Sequence, residues 1–200
     1  MDLFTSQNDD IQLKMPDGDV RYYPAFFDKN KADHLFKILK ESIEWQQDDI
    51  KIFGKVYKQP RLTALYANNK NTYTYSNITM KPHKFTEELL IIKEKIENIS
   101  SGIFTTCLLN LYRDGQDSNG WHADNEKELG TEPIIASVSF GEERWFHFKH
   151  KTKNQKQKIL LQHGSLLIMQ GKTQENWLHQ VPKSKKVMKP RINLTFRIID

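Results

Sequence analysis

Apolar residues recur at helical spacing in two stretches of the N-terminal half. Between Asp28 and Gln46, Leu35, Phe36, Ile38, Leu39 and Ile43 form one stripe, and Asp28 or Asn30 can cap the start, so an amphipathic helix is expected there. A second is expected from Thr86 to Ile99: Thr86 caps the first turn, Glu87 and Glu88 suit its positive end, and Leu89, Ile92 and Ile96 supply the apolar face. Residues 1–20, with Asp9-Asp10 and the turn former Pro16-Asp17-Gly18, read as an irregular tail. Lys51 to Tyr75 mixes β-branched and aromatic residues with turn formers, which predicts short strands and exposed loops. After Gly102 the period shortens. IFTTCLLNLY, IIASVSF, RWFHFKH, KILLQ, SLLIMQ, WLHQV and RINLTFRII read as short strands, separated by turns at Asp114-Gly115, Gly141, His163-Gly164 and Gly171. The expected fold class is α+β: a jelly-roll core flanked by N-terminal helices.

The last strand alternates completely. Arg191, Asn193, Thr195 and Arg197 share one face, with Ile192, Leu194, Phe196 and Ile198 on the other. Taken alone, this is an antiparallel strand with its apolar face in a core and its polar face in water. Upstream, His122 and Asp124 are spaced so that a strand points both side chains to one side, and His179 follows much later. Two imidazoles and a carboxylate are the donor set that holds iron(II) by one face and leaves positions open. Two arginines beyond the last histidine suit a dicarboxylate, because guanidinium groups form bidentate, charge-assisted bonds with carboxylates. Asn110 and Tyr112 share one face of their own strand.

Composition excludes several classes. At 200 residues, 38% hydrophobic and 28% charged, the chain reads as one soluble domain, and no apolar run approaches the roughly 18 residues that cross a bilayer. The start, MDLFTSQNDDIQLK, lacks the basic and apolar stretches of a secretory leader, so an intracellular location, cytoplasmic or nuclear, is expected, with no membrane partner and a monomeric state. The single cysteine, Cys107, rules out an intrachain disulfide and a cysteine-based zinc cluster, and its apolar neighbours predict burial. A formal charge of +5 hints at a polyanionic partner. Two segments concentrate it: HKTKNQKQK at 150–158 and KSKKVMK at 183–189. Lysine-rich loops are also ordinary solvated surface. His34, His83, His147, His150 and His163 lack a partner at ligand spacing.

One ensemble of motifs carries a family resemblance. NLYRDG at 110–115, GWHADNE at 120–126, ASVSFG at 136–141, HGSLLIM at 163–169, His179 and PRINLTFR at 190–197 resemble the AlkB-type iron(II) and 2-oxoglutarate dioxygenases in order, spacing and residue type. The resemblance covers most of residues 50–200 and is greatest to the DNA demethylases that act on double strands. It implies a double-stranded β-helix core over 103–200, a nucleotide-recognition hairpin region over 51–80, and one dioxygenase domain over 21–200. It also implies that His122, Asp124 and His179 bind Fe(II), that Arg191 pairs with the distal carboxylate of 2-oxoglutarate, and that Asn110, Tyr112, Asn193, Thr195 and Arg197 line the rest of that pocket. The implied reaction uses O2 and 2-oxoglutarate to hydroxylate an N-methyl group on a base, 1-methyladenine and 3-methylcytosine being typical. Formaldehyde then leaves.

A methyl on the pairing edge is reached only by extracting the base from the duplex. By resemblance, Phe53 of the Phe53-Gly54-Lys55 loop is the wedge that fills the gap. Tyr73, Thr74 and Tyr75 match the segment that lines the base pocket, where Tyr75 and the His122 ring can sandwich a cationic base. The basic segments at 150–158 and 183–186 correspond to loops that grip the duplex backbone, the second through Lys183, Lys185 and Lys186. One departure stands out: relatives carry a second acid where this chain has Asn125, and an amide loses the attraction to a cationic base. Glu126 can replace it only if the backbone leaves the strand course, since strand neighbours face opposite sides. Methylated DNA, duplex in preference to single strand, is the expected partner. RNA demethylation by the same chemistry and a nonenzymatic module for damaged nucleic acid are the alternatives.

Overall fold

The Asp28 carboxylate accepts the Lys31 N–H at 2.9 Å, and the helix it caps, α1, runs over Lys29–Ser42. Thr86 does the same for Leu89 ahead of α2 (Glu87–Glu97), so both expected helices form within a few residues of their expected ends. Leu35 and Leu39 of α1 and Leu89, Ile92 and Ile96 of α2 are fully buried, each contributing on the order of 1.5–3 kcal/mol. The computed structural model describes residues 10–52, 54–69, 73–75 and 78–199, with the backbone alone at 51–52, 73–75 and 78–79.

The strands in chain order are β1 (Ile11–Gln12), β2 (Asp19–Tyr23), β3 (Asp49–Ile52), β4 (Lys55–Lys58), β5 (Leu62–Ala67), β6 (Tyr73–Tyr75), β7 (Ile78–Met80) and β8 (His83–Lys84). They continue with β9 (Thr106–Tyr112), β10 (Asn119–His122), β11 (Ile135–Gly141), β12 (Arg144–His150), β13 (Lys156–Leu161), β14 (Ser165–Gln170), β15 (Trp177–Val181) and β16 (Arg191–Arg197). A short helix, α3 (Thr173–Asn176), precedes β15. An eight-stranded sheet has the order β1-β2-β14-β11-β16-β9-β5-β8, and a four-stranded sheet the order β10-β15-β12-β13. Two sheets of this kind with crossing connections form the expected jelly-roll.

The larger sheet is buried on both sides. Leu109, Leu111, Val138, Phe140, Ile192, Leu194 and Phe196 pack with the helices in one apolar cluster. Its other face looks toward the smaller sheet, across Leu108, Tyr112, Phe146, Phe148 and Met169. Every residue of β9 and β16 is buried. The polar face of β16 therefore points into the interior and not into water, which removes the simplest reading of its alternation. Cys107 is buried as expected.

The expected irregular course over 1–20 is corrected only at residues 11–12 and 19–20. Ile11–Gln12 and Asp19–Val20 lie in strands, and β2 pairs along β14 from Tyr23↔Leu166 to Asp19↔Gln170, with Val20 fully buried. The alternation in DVRYY is only five residues long and follows a Pro-Asp-Gly turn, too short a run to stand out in the sequence. Two hairpins stand apart from the jelly-roll sheets: β3 with β4, and β6 with β7. Ile52 pairs with Lys55, and Gly54 at the tip between them has φ +80°, a value few side chains tolerate.

Candidate active site

His122 ends β10, and His179 lies opposite it on β15 in direct register. Their Nε2 atoms are 3.1 Å apart, about the span of two nitrogen ligands at right angles around one ion. Asp124 lies just past the strand, with its Oδ1 4.0 Å from His122 Nε2. One ligand atom from each of the three can be chosen so that all lie within 4.8 Å of one another.

The protonation states suit a metal. Burial, then the neighbouring His122, holds the His179 pKa down at about 3, and burial also lowers that of His122. Burial alone would raise the Asp124 pKa, but the charge of Arg197 and the nearby imidazoles bring it to about 2. Two neutral imidazoles and an ionised carboxylate are the forms that ligate. His122 Nδ1 lies 2.8 Å from the Gly120 carbonyl, which places the ring proton there and leaves the Nε2 lone pair facing the site. The Phe146 ring stacks on His179, with centroids 5.2 Å apart.

Register explains why these groups meet a polar stripe. On β16, Arg191 pairs with Tyr112 and Asn193 with Asn110 of β9, while Asn193 and Thr195 pair with Ser139 and Ser137 of β11. Directly opposed residues share a face. Arg191 is 1% exposed, lies 5.2 Å from the Tyr112 ring centroid, and gives one Nη2 bond to Ser139 Oγ at 2.9 Å. Its Nε and Nη1 are buried without a hydrogen-bond partner among the described residues. Burial lowers its pKa to about 10, so it stays cationic at neutral pH. A buried guanidinium with idle donors is costly unless an acceptor reaches it, and a carboxylate matches that fork. The residues present therefore fit both a metal ion and a dicarboxylate.

The remaining pocket residues are tied to one another. Asn193 donates to Ser137 Oγ and the Val138 carbonyl, and Thr195 donates to Asn193 Oδ1. Arg197, expected beside the cosubstrate, lines the same pocket and also donates to Asp124 Oδ1 at 2.9 Å, so it fixes a metal-ligand carboxylate from the far end of β16. Asn110 accepts from Arg61 Nε at 2.7 Å.

Several of these partners were not apparent from sequence. Arg61 is a lone arginine after Pro60, without a pattern to mark it. Gln174, whose Oε1 accepts the Asp124 N–H at 2.9 Å, sits in a four-residue helix with no signature. Ser137 and Ser139 did leave a signal: they alternate with Ala136, Val138 and Phe140 in the same manner as the polar face of β16.

The nucleic-acid candidates divide. Gly54 and Lys55 lie at the exposed end of the β3–β4 hairpin, and Tyr73, Thr74 and Tyr75 form β6, described by backbone alone. Phe53 lies outside the described residues. Lys183, Lys185 and Lys186 are exposed on a loop held against Gly115, whose carbonyl accepts the Ser184 N–H at 2.7 Å. A Cβ on Gly115 would meet the carbonyl oxygens of Ser184 and Lys186 at 2.7 and 2.8 Å, so the close approach needs glycine. His150, first residue of the other basic segment, is buried, and its Nδ1 accepts the Lys153 N–H, while the lysines beyond it are exposed.

Asn125, expected to face the base, is exposed and lines a groove with Thr131, Glu132 and Gln174. Residues 123–126 are not a strand, so the rule that neighbours face opposite sides does not govern them. Glu126 takes the inward course: its Oε2 is buried without a hydrogen-bond partner among the described residues. Burial raises its pKa, and Asp124 adds to the rise, while Arg197 opposes it.

Comparison with known proteins agrees with this geometry. A family model described as the 2OG-Fe(II) oxygenase superfamily matches residues 19–197. Alpha-ketoglutarate-dependent dioxygenase alkB homolog 3 of Bos taurus is 44% identical over 191 residues, covering 88% of this chain and 64% of that protein. The protein of the same name from Homo sapiens is 42% identical over 195 residues, 90% of this chain and 66% of its own length. The chain thus spans just under two thirds of these two relatives. DNA oxidative demethylase ALKBH2 of Homo sapiens is 38% identical over 188 residues, covering 88% of this chain and 72% of that protein. Among solved structures, "The structure of OsALKBH1" matches with a TM-score of 0.64 at 17% identity, over 90% of this chain and 96% of that one, a likeness of fold alone. The triad and the buried arginine, reached from side-chain geometry, thus coincide with a sequence match along nearly the whole chain, which belongs to the 2OG-Fe(II) oxygenase superfamily.

Proposed function

We propose that this protein is an Fe(II)- and 2-oxoglutarate-dependent dioxygenase that removes N-methyl groups from nucleic-acid bases, DNA in the first place. The observation that carries this reading is the convergence of His122, Asp124 and His179 beside Arg191, whose Nε and Nη1 donors are buried and idle. The three ligands would hold iron, and Arg191 the distal carboxylate of 2-oxoglutarate. Bound iron and 2-oxoglutarate supply the oxidising chemistry by which O2 hydroxylates the methyl group. Arg197 and Gln174 hold Asp124 in place, the Gly120 carbonyl fixes the His122 ring, and Asn110, Tyr112, Asn193 and Thr195 give the cosubstrate its shape-matched walls. Glu126 supplies the acid that Asn125 lacks, facing a cationic methylated base from the same loop.

Duplex DNA is the substrate form we favour, on the Phe53-Gly54-Lys55 motif, in which Phe53 would wedge the stack and Lys55 would meet phosphate. The same pocket can take a base from a single strand, so single strands belong in the same assay. The test is formaldehyde release from matched single- and double-stranded oligonucleotides carrying 3-methylcytosine, with iron, ascorbate and 2-oxoglutarate. Turnover is expected, and lost in His179→Ala. No formaldehyde from either strand form, with 2-oxoglutarate bound, would exclude the demethylase reading. Phe53→Ala is expected to impair the duplex substrate selectively.

A further inference from the structure

A further buried guanidinium stands beside the cosubstrate pocket. Along β12, Phe146 and Phe148 point inward against His179, and Arg144 shares their face at the start of the strand. It is 3% exposed. Its Nη1 donates to the Asp114 carbonyl at 3.1 Å, and its Nη2 to the carbonyls of Asp117 at 2.9 Å and Pro182 at 2.7 Å. Asp114 and Asp117 lie in the loop that follows Tyr112, and Pro182 directly follows β15, the strand of His179. One side chain therefore ties together the strand ends beside Tyr112 and His179. Its guanidinium carbon also lies 5.7 Å from the Tyr112 ring centroid, the same ring that Arg191 approaches at 5.2 Å. Tyr112 and Arg191 line the pocket; Arg144 does not.

Given the cosubstrate role proposed for that pocket, on which this rests, we infer that Arg144 is a positioning residue: by fixing the Tyr112 ring and the loop after it, it sets Tyr112 and Arg191 for the distal carboxylate of 2-oxoglutarate. A purely structural clamp would not need a charge here, since well-packed apolar side chains of similar volume are often as stabilising as buried ions. Burial lowers the Arg191 pKa first, and the charge of Arg144 adds to the fall, so two cations crowd one ring. A carboxylate in the pocket relieves that repulsion, and an uncharged ligand does not. Because Arg144 gives both Nη groups to main-chain carbonyls, it acts through the Tyr112 ring and through its charge, not by touching the ligand.

The test needs no turnover: calorimetry of 2-oxoglutarate binding to the full chain loaded with manganese(II), beside oxalate, which can meet the metal but has no distal carboxylate. Arg144→Met is expected to weaken 2-oxoglutarate roughly 2- to 30-fold, the range for a cation over a ring, and to leave oxalate within about twofold of native. In iron-supported turnover, KM for 2-oxoglutarate should rise with kcat nearly unchanged. On a Tyr112→Leu background the same substitution should add less than about twofold, because the ring it acts through is gone. Should Arg144→Met fail to fold, Arg144→Lys carries the test: it keeps a charge, loses the fork that meets three carbonyls, and is expected to show a smaller loss of the same selective kind. Equal losses for both ligands, or losses that add in full to those of Tyr112→Leu, would leave Arg144 a structural clamp and overturn the inference. So would native affinity in the folded variant that carries the test. Arg191→Lys separates the two claims. If it weakens 2-oxoglutarate while Arg144→Met does not, only the role of Arg144 falls; if Arg191→Lys binds like the native chain, the pocket assignment falls with it.

Discussion

Replacing Arg191 with lysine preserves the charge and removes the fork. In the structure the guanidinium gives one Nη2 N–H to Ser139 and leaves Nε, Nη1 and the second Nη2 N–H, so an incoming carboxylate can pair with Nη2 and either of the idle nitrogens. Lysine offers one ammonium at the end of a flexible stem, so it can keep the Ser139 contact or meet the carboxylate, but cannot make a parallel pair of bonds. Losing one charge-assisted hydrogen bond at a buried site costs about 1.5–3 kcal/mol, or roughly 10- to 150-fold in affinity for 2-oxoglutarate. The distal carboxylate is remote from the reacting carbon, so its bonds are equally strong before and during reaction. The loss should therefore appear in KM for 2-oxoglutarate, with kcat nearly unchanged. Succinate formation at saturating oligonucleotide, measured across 2-oxoglutarate concentration, gives both constants, and calorimetry on the iron-loaded protein gives the affinity directly. A melting temperature near that of the native chain would confirm that Arg191→Lys folds. If KM for 2-oxoglutarate stays within twofold of native in a folded variant, Arg191 does not hold the cosubstrate.

Other outcomes follow from the same geometry. Manganese(II), added in place of iron, is expected to raise the melting temperature of the native chain through linkage and to leave His179→Ala unchanged, as followed by calorimetry; chelation should reverse the rise. Glu126→Gln should lower kcat/KM for 3-methylcytosine about fivefold, on the order of 1 kcal/mol of lost attraction to a cation, and Asn125→Asp should change it far less; parallel kinetics on both variants decide. Gly115→Ala should destabilise by about 1–3 kcal/mol, because its Cβ meets two carbonyl oxygens of the lysine loop; urea unfolding measures this. Asp117 supplies a pH test. Burial alone would raise its pKa, but Arg113, which meets both carboxylate oxygens, holds it below the usual range. A depressed folded value means the contribution is present above an unfolded pKa of about 3.9 and is lost as pH falls through the folded value. Asp117→Asn should flatten the acid limb of stability against pH, and an unchanged limb would refute the assignment.

Much of this was legible in the chain because it rests on local period. Both helices could be read from the spacing of Leu35, Leu39, Leu89, Ile92 and Ile96, and so could the Thr86 cap, while the first cap was open between Asp28 and Asn30. The polar stripe of β16 was legible too, though not its burial: alternation states that two faces differ, and only the sheet order shows that another layer covers the polar one. The three ligands were readable as residue types at plausible spacing, while their partners were not. Gly120 contributes a backbone carbonyl, which any residue has, and Gln174 reaches Asp124 from a helix of four residues. Which way Asn125 and Glu126 point was not legible, because the strand ends at His122, and a period of two loses its meaning where the strand stops.

The ion pair between Arg197 and Asp124 has a consequence for supply. A buried carboxylate that relied on iron for its counter-charge would make folding depend on the metal, as in domains that are unfolded until loaded. Here the guanidinium of β16 already balances the charge, and the imidazoles are neutral. Synthesis and metal loading are therefore separable events. A cell short of iron would keep a stock of folded protein, and its oxygenase activity would return at the speed of metal uptake and not of new translation.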